Sequence, residues 1–128
     1  MGLISTPLVV SNLIEPGKTL RFEALVDTGA AHLVLPRAWE DQLGDLPIFR
    51  LVDLEMANGT TTLGRICGPV SIQIEGFEPV SGEVLFMEME PINGVYEPLL
   101  GCIPLEQAQA EVDMANHELK HVKRVRVK

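Results

Sequence analysis

The sequence predicts an all-β protein. Its 11 glycines and 9 prolines are spread along 128 residues, and they divide the chain into many short segments. Several segments alternate apolar and polar side chains, which is the pattern of half-buried strands. An apolar content of 46% is enough for a globular core, and the length indicates one domain over residues 1–128.

The chain opens with a predicted hairpin. Residues 3–13 form an apolar strand, and Glu15-Pro16-Gly17 supplies a clear turn. Residues 19–26 then alternate apolar and polar side chains, as in a half-buried strand that enters the core at its C-terminal end. The second strand of this hairpin therefore delivers Asp27 to the turn that follows it.

A tight turn, a short strand and a short helix follow Asp27. The residues Thr28-Gly29-Ala30 favour a turn, and the apolar segment 33–35 predicts a strand that leads away from it. Residues 36–44 predict a helix, because proline stands at its start and glycine at its end. The only tryptophan, Trp39, lies in this helix and is expected to pack in the core.

A second hairpin is predicted in the middle of the chain. Residues 50–57 and 60–63 have strand patterns, and Asn-Gly between two such patterns is the strongest short-range hairpin signal. An ordinary surface hairpin is one interpretation. The other is a flap over a binding cleft, since a tip of small residues lets its backbone meet an extended peptide; the tip residues are Ala57, Asn58, Gly59 and Thr60.

Further strands and a helix complete the pattern. Residues 70–75 and 79–89 predict another hairpin. The apolar pair and glycine Leu99-Leu100-Gly101 precede a short helix, residues 102–109, with proline in its first turn. Residues 111–122 predict a last hairpin.

The segment Ala24-Leu25-Val26-Asp27-Thr28-Gly29-Ala30 and the apolar strand after it resemble the active-site loop of the aspartic peptidases. The single short chain is similar to their retroviral-type, retropepsin-like members. The hairpin tip and Leu99-Leu100-Gly101 follow in the order of that family, so the resemblance covers roughly residues 19–122. It implies a single-lobe closed β-barrel with a flap hairpin and one or two short helices.

The resemblance also implies a role for each motif. Asp27 would be the catalytic carboxylate, held in the loop Thr28, Gly29 and Ala30, and residues 57–60 would form the substrate-binding flap. The motif Leu99, Leu100 and Gly101 would cross beside the loop and support it. Because the chain has one Asp-Thr-Gly, a homodimer would supply the second carboxylate of a dyad that activates water against a peptide or protein substrate.

Two other functions fit the same residues. One is a non-catalytic peptide-binding or dimerisation module on the same fold, and the other is a simple β-barrel binding domain in which Asp-Thr-Gly is a chance turn. Only a catalytic protein has a physical need for the Asp27 carboxylate. No metal and no other cofactor is expected, because the spacing of the histidines and cysteines matches no metal-binding pattern.

The charge of the chain is unevenly distributed. The net charge is −8, yet five of the ten basic residues lie in residues 120–128, a predicted basic strand or tail. Nucleic acid is not an expected partner, because the acidic body repels phosphate and no aromatic residue lies within this basic segment. A terminal strand with solvated charges is the preferred interpretation.

The sequence favours a cytoplasmic protein. No segment is long and apolar enough to span a membrane, so no membrane association is expected. The start of the chain does match the loose N-myristoylation pattern at Gly2, which is an alternative. Cys67 and Cys102 are expected to be reduced and buried, as in a cytosolic protein.

Overall fold

A computed structural model describes residues 3–122 of the chain, which form nine strands and two short helices. In chain order the elements are β1 (Ser5–Asn12), β2 (Thr19–Val26), β3 (Leu33–Pro36), a 3₁₀ helix (Arg37–Leu43), β4 (Ile48–Glu55), β5 (Thr61–Ile74), β6 (Val80–Met87), β7 (Leu99–Leu100), α1 (Cys102–Gln107), β8 (Ala110–Asp113) and β9 (Glu118–His121). The predicted all-β class is confirmed. The myristoylation pattern at Gly2 and residues 123–128 of the basic segment lie outside the described residues.

Seven of the strands form one mixed sheet that closes on itself. The order is β1-β2-β7-β3-β6-β5-β4, and β1 pairs with β5 as well. Six strands therefore form a closed ring, and β4 extends it along the first half of β5. Closure pairs the strand edges that an open sheet would leave free. The predicted closed barrel is confirmed, and β8 and β9 form a separate two-stranded sheet.

The barrel encloses the main hydrophobic core. Strand β1 buries alternate residues, as the period of two requires, and its Leu8 and Val10 are almost fully buried. Leu33 and Leu35 of β3 and Phe86 of β6 are also fully buried. The indole of Trp39 packs against this core, with its ring centroid 5.3 Å from that of Phe22 and 6.0 Å from that of Tyr96. The predicted core role of Trp39 is confirmed.

A second apolar cluster lies under the hairpin that β4 and β5 form. Its buried residues are Val34 of β3, Ile66 of β5 and Leu85 of β6. Gly64 permits this packing, because a Cβ there would lie only 2.7 Å from Leu85 Cδ1. Half-buried side chains from β4, from the end of β6 and the residues after it, and from β7 pack against the cluster: Val52, Leu54, Met87, Met89 and Leu99.

Strand β5 is longer than the sequence indicated. Residues 60–63 and 70–75 were predicted to be separate strands, but Thr61–Ile74 is one strand of 14 residues. Its first half pairs with β4, its second half with β1, and β6 runs along its other edge. The glycine and proline at positions 68 and 69 fall where the register with β6 shifts, so they bend the strand instead of ending it.

The predicted short helix over residues 36–44 is confirmed. It is a 3₁₀ helix, Arg37–Leu43, and it ends at Gly44, whose φ of 72° suits a residue without a Cβ. One smaller prediction needs correction. Cys102 is not buried as expected: it lies partly exposed at the start of α1, whereas Cys67 is buried in β5. Burial, followed by the nearby Glu40 carboxylate, raises the pKa of the Cys67 thiol.

Candidate active site

Asp27 stands directly after β2, in a turn fixed by its own backbone and side chain. Its backbone N–H donates to the Leu100 carbonyl at 3.0 Å, and its own carbonyl accepts from the Ala30 N–H at 3.1 Å. The carboxylate Oδ1 accepts from the Gly29 N–H at 3.0 Å. These bonds hold one carboxylate oxygen in place, and among the described residues the other oxygen, Oδ2, has no hydrogen bond.

The residues around β7 support this turn from one side. β7 runs parallel to β2 and antiparallel to β3, so it passes directly beside the turn that connects them. The N–H of Gly101 donates to the His32 carbonyl at 3.0 Å, and that of Cys102 donates to the Ala30 carbonyl at 2.8 Å. A third bond, 2.9 Å long, joins the Ile103 N–H to the Ala31 carbonyl.

Gly101 is essential to this close approach. A Cβ at this position would lie 2.6 Å from the Ala30 carbonyl oxygen and 2.7 Å from the Ala31 carbonyl carbon, and it would also collide with the His32 carbonyl oxygen. Those atoms are backbone, so they cannot rotate aside. The structure thus brings Leu100 and Gly101 to the Asp27 turn, and their importance for catalysis stays a prediction.

The Asp27 turn is more open in a single chain than the sequence suggested. The strand before Asp27 was predicted to enter the core at its C-terminal end, but Val26 and Asp27 are half-buried and Thr28 and Gly29 are exposed. A pocket of about 190 Å³ beside the turn has apolar walls that include Leu3 and Met114. Those two side chains are 73% and 48% exposed, so an apolar surface borders the carboxylate.

The hairpin tip has a different turn from the one predicted. The loop between β4 and β5 has five residues, 56–60, instead of only Asn58 and Gly59. The Gly59 N–H donates to the Met56 carbonyl at 2.9 Å, and the Met56 N–H donates to the Thr60 carbonyl at 2.7 Å. The Asn58 side-chain oxygen accepts from the Thr60 N–H at 3.0 Å. Gly59 has a φ of 85°, and Ala57 is exposed like the rest of the predicted tip.

A charged cluster near the turn was not anticipated from the sequence. His32 Nε2 lies 3.5 Å from Glu83 Oε1, and the Arg50 guanidinium donates to the same oxygen at 2.9 Å. Glu83 is in β6 and Arg50 in β4, so only the folded sheet brings them to the loop after Asp27. The sequence carries no local signal for this cluster, because its three residues are far apart along the chain.

Neither a metal centre nor a membrane span is found in the part of the chain that the structure describes. Among residues 3–122, no three histidine, cysteine, aspartate or glutamate side chains are grouped so that they could hold a metal ion. Over the same residues, no helix has the length and apolar character needed to cross a membrane.

A comparison with protein-family models decides the family. The model described as "Aspartyl protease" matches residues 13–102. The chain belongs to the aspartyl protease family. The match includes the Asp27 turn, the hairpin tip and the motif Leu99-Leu100-Gly101 of this aspartyl protease family member. A search of curated proteins found no match.

The barrel of this aspartyl protease family member is similar to a retroviral enzyme structure. That structure is described as EIAV protease complexed with the inhibitor HBY-793. The TM-score is 0.58 at 18% sequence identity, and the similarity covers 82% of this chain and 86% of that chain. At this identity the likeness shows the fold, so the predicted retropepsin-like architecture is confirmed.

Proposed function

We propose that this aspartyl protease family member is an endopeptidase, in which Asp27 from each of two identical chains forms the catalytic dyad. The observation that carries the proposal is the fixed turn at Asp27. One carboxylate oxygen is held by the Gly29 N–H, and the turn itself is held by bonds to the strand that ends at Gly101. Such pre-organisation is what a group that must meet a reacting water needs.

A second copy of the chain is required by the chemistry. Hydrolysis of a peptide needs a base that takes a proton from water and an acid that gives a proton to the carbonyl oxygen. Two adjacent carboxylates that share one proton supply both functions. The chain has a single Asp-Thr-Gly sequence, at Asp27, so a symmetric dimer would supply the partner.

The surface beside Asp27 supports a dimer. Thr28 is exposed, and the apolar side chains of Leu3, Val112 and Met114 line the pocket next to it. Val112 lies in β8, which pairs only with β9 among the described residues. Apolar side chains and a free strand edge next to a functional group are features of a surface that another chain covers. In the proposed dimer, Thr28 faces its symmetry mate and holds the two turns in register.

The substrate would lie extended between the Asp27 turn and the hairpin tip, residues 57–60. The hairpin offers backbone groups to a bound strand, which is how extended peptides are recognised by strand addition. Beneath it, the second apolar cluster provides a wall for the side chains of the peptide. Met87 and Met89 in this wall are adaptable in shape, so we expect apolar residues of several sizes to be accepted.

The reaction would proceed in two proton-coupled steps. The ionised Asp27 accepts a proton from the water as its oxygen attacks the peptide carbonyl carbon, and the protonated Asp27 of the other chain gives its proton to the carbonyl oxygen. The tetrahedral intermediate then collapses: the Asp27 that took the water proton gives it to the leaving nitrogen, the C–N bond breaks, and one hydroxyl of the intermediate returns a proton to the other Asp27 as the C=O bond re-forms. The dyad again holds one shared proton. Water is consumed, and the products are a carboxylic acid and an amine.

Replacing Asp27 tests this proposal directly. Asp27→Asn is expected to lower kcat/KM on a peptide substrate by several orders of magnitude, because an amide neither accepts the water proton nor shares one. The matched control is Asp45→Asn, the same substitution at an exposed position. Cleavage that persists in purified Asp27→Asn would refute the proposal, whereas peptide binding without hydrolysis in the parent would identify a binding module.

A further inference from the structure

A second, larger pocket lies on the side of the active-site loop that leads to His32. Its volume is about 410 Å³, within the range of roughly 300–1,000 Å³ that is typical of ligand sites. Its walls come from the base of β4, from β5, from β6 and from α1. It shares no lining residue with the pocket beside Asp27 or with the hairpin tip. We call it the distal pocket.

We propose that the distal pocket binds a large apolar side chain of the substrate, several residues away from the bond that is cut. The proposal rests on the proposed peptidase function and adds a specificity site to it. The occupant is a segment of the same polypeptide that Asp27 cleaves, and the pocket selects it by an uncharged aliphatic or aromatic side chain.

The lining of the distal pocket favours an apolar side chain. Five of its ten lining residues are apolar and bulky: Phe49, Pro69, Ile72, Ile103 and Pro104. Phe49 and Ile103 are 48% and 43% exposed, so a large part of each apolar side chain is in contact with water, which is unfavourable. An apolar side chain inserted between them would remove both from water.

The floor of the pocket is open because β6 carries a glycine there. Gly82 faces the pocket, and a Cβ at this position would lie 3.4 Å from Gln107 Oε1 and 3.6 Å from Ile72 Cδ1. These are ordinary van der Waals distances, and Gly82 does not have the positive φ that would exclude a side chain. A side chain at position 82 would therefore neither clash nor strain the backbone. The glycine leaves the space above it empty.

The mouth of the distal pocket carries charges that satisfy one another. The Arg50 guanidinium donates to Glu83 Oε1 at 2.9 Å, and His32 Nε2 lies 3.5 Å from the same oxygen. Glu83 is thus already paired with a cation. A charged substrate side chain would have to compete with this pair and lose its own hydration, so the mouth selects against charge.

The active-site loop connects the distal pocket to the catalytic turn. The carbonyls of Ala31 and His32 accept from the chain that leaves β7, but their N–H groups have no hydrogen-bond partner among residues 3–122. Two free amides in sequence, between Asp27 and the pocket mouth, provide donors for the carbonyls of an extended peptide. A substrate strand that accepts hydrogen bonds from these two amides would extend from Asp27 to the distal pocket at His32.

The test is a set of peptides with one cleavable core and a single varied position. Leucine and alanine are compared in turn at every position outside the cleavable core, on either side of the cut. We expect one position at which leucine raises kcat/KM about ten-fold over alanine. Aspartate at that position is expected to do no better than alanine.

Two leucine substitutions in the protein make the test specific. Gly82→Leu places a side chain inside the distal pocket and is expected to reduce the ten-fold preference to less than two-fold. Gly17→Leu adds the same side chain where nothing lies within 4 Å, at a turn outside the pocket, and is expected to leave the preference unchanged. A preference that survives in Gly82→Leu, or that appears at no position in an enzyme whose cleavage requires Asp27, overturns the inference and leaves the proposed function standing.

Binding gives a second readout that does not depend on catalysis. In methyl-labelled Asp27→Asn protein, the leucine peptide is expected to shift the signals of Ile72 and Ile103, and the alanine peptide is not. If the parent cleaves no peptide, the proposed function fails, and this spectrum still decides whether the pocket binds. Absence of the shifts, or shifts that follow protein concentration and so report a second copy of the chain, would overturn the inference.

Discussion

At the scale of single residues, the position of the Asp27 carboxylate depends on two glycines, Gly29 and Gly101. Gly101 lets the chain after β7 lie against the carbonyls of the Asp27 loop, and three N–H groups then donate to that loop. Gly29 has its N–H aimed at the Asp27 carboxylate. The Asp27 carboxylate is therefore positioned mainly by backbone groups, and we expect side-chain substitutions elsewhere to disturb this arrangement little.

Gly101→Ala tests this positioning. The added Cβ would meet backbone atoms at 2.6 and 2.7 Å, so we expect a loss of about 1–3 kcal/mol or more in the free energy of unfolding, together with a large loss of kcat/KM. Gly17→Ala is the matched control, because nothing lies within 4 Å of that position. Urea unfolding and peptide cleavage measure the two effects, and a Gly101→Ala protein with parental stability would show that the close approach is not needed.

Sequence reasoning was most informative at this scale where a residue type has few structural alternatives. Asp27, Gly59 and Gly101 could be singled out because a carboxylate after an apolar strand, Asn-Gly and an apolar-apolar-Gly motif are distinctive. Arg50 and Glu83 could not be, since they meet His32 only through the pairing of three strands distant in sequence. The exposure of Cys102 could not be predicted from the sequence either, because it depends on how α1 lies on the barrel.

At the scale of elements, the hairpin of β4 and β5 combines a packed base and an exposed tip. Val52 and Leu54 on its inner face pack against the second cluster, while the tip residues 57–60 are exposed. A rigid base with a tip that makes few contacts is suited to closing over a bound peptide. The tip turn depends on Gly59, which has a φ of 85°.

Gly59→Val tests the flap role of this hairpin. A β-branched residue at positive φ costs about 1–3 kcal/mol, so the tip is expected to lose its turn and kcat/KM to fall about ten-fold or more. Gly17→Val introduces the same side chain in another turn with open space and without positive φ, and full activity is expected there. Unchanged turnover in a correctly folded Gly59→Val protein would argue for an ordinary surface hairpin.

The turn between β8 and β9 contributes to the stability of the folded chain in a pH-dependent way. The Asn116 side-chain amide donates to Asp113 Oδ2 at 2.8 Å, and this bond is the main cause that holds the pKa of Asp113 below its ordinary value of 3.8. The backbone amides of Asn116 and Ala115 and the charge of Lys120 act in the same direction, against partial desolvation. Because the folded pKa is the lower one, the contribution to stability is present above the ordinary value and is lost as pH falls through the folded value.

Asn116→Ala is expected to raise the pKa of Asp113 towards its ordinary value. Carbon NMR titration of the carboxylate measures this shift, and Lys120→Ala is a comparison in which a smaller, salt-dependent rise is expected. The substitution is expected to lower the stability of the hairpin near neutral pH, and this loss should disappear at pH values below the folded pKa of Asp113. A carboxylate that titrates identically in parent and Asn116→Ala would contradict the assigned cause.

Strand positions were predictable from alternation, and their ends less so. The predicted limits of β2 agree with the observed ones, Thr19–Val26, because polar turns bound this strand on both sides. The continuity of β5 was missed, since glycine and proline usually end a strand and only tertiary pairing on both edges carries the chain through them. The five-residue tip was missed for a similar reason: Met56 pairs across to Thr60 within the turn itself.

At the scale of the whole molecule, one chain provides a barrel and half of a proposed active site. Closure by β1 and β5 joins segments far apart in sequence, and alternation alone does not reveal such partners. The family resemblance supplied that topology, and the structural similarity to EIAV protease confirms it. The single domain over residues 1–128, with its core at about 19–122, and a cytoplasmic location stay predictions.

The proposed dimer places Asp27, Thr28 and the apolar side chains of Leu3 and Met114 at or beside the two-fold axis. Those side chains are exposed in one chain and border the carboxylate, so association would cover apolar surface and complete the dyad in the same step. Catalytic activity and assembly would then be coupled, because a monomer holds only one carboxylate in the required turn.

Active-site titration with a statine-containing peptide inhibitor is the sharpest test of the proposed shared dyad, because it counts the active sites per chain. At protein concentrations where sedimentation shows a dimer, cleavage is expected to reach zero at one inhibitor molecule per two chains, since both Asp27 carboxylates contact one ligand. Asp27→Asn protein is expected to show no cleavage to titrate. An end point of one inhibitor per chain, or cleavage that persists at saturating inhibitor, would contradict a dyad shared between two copies.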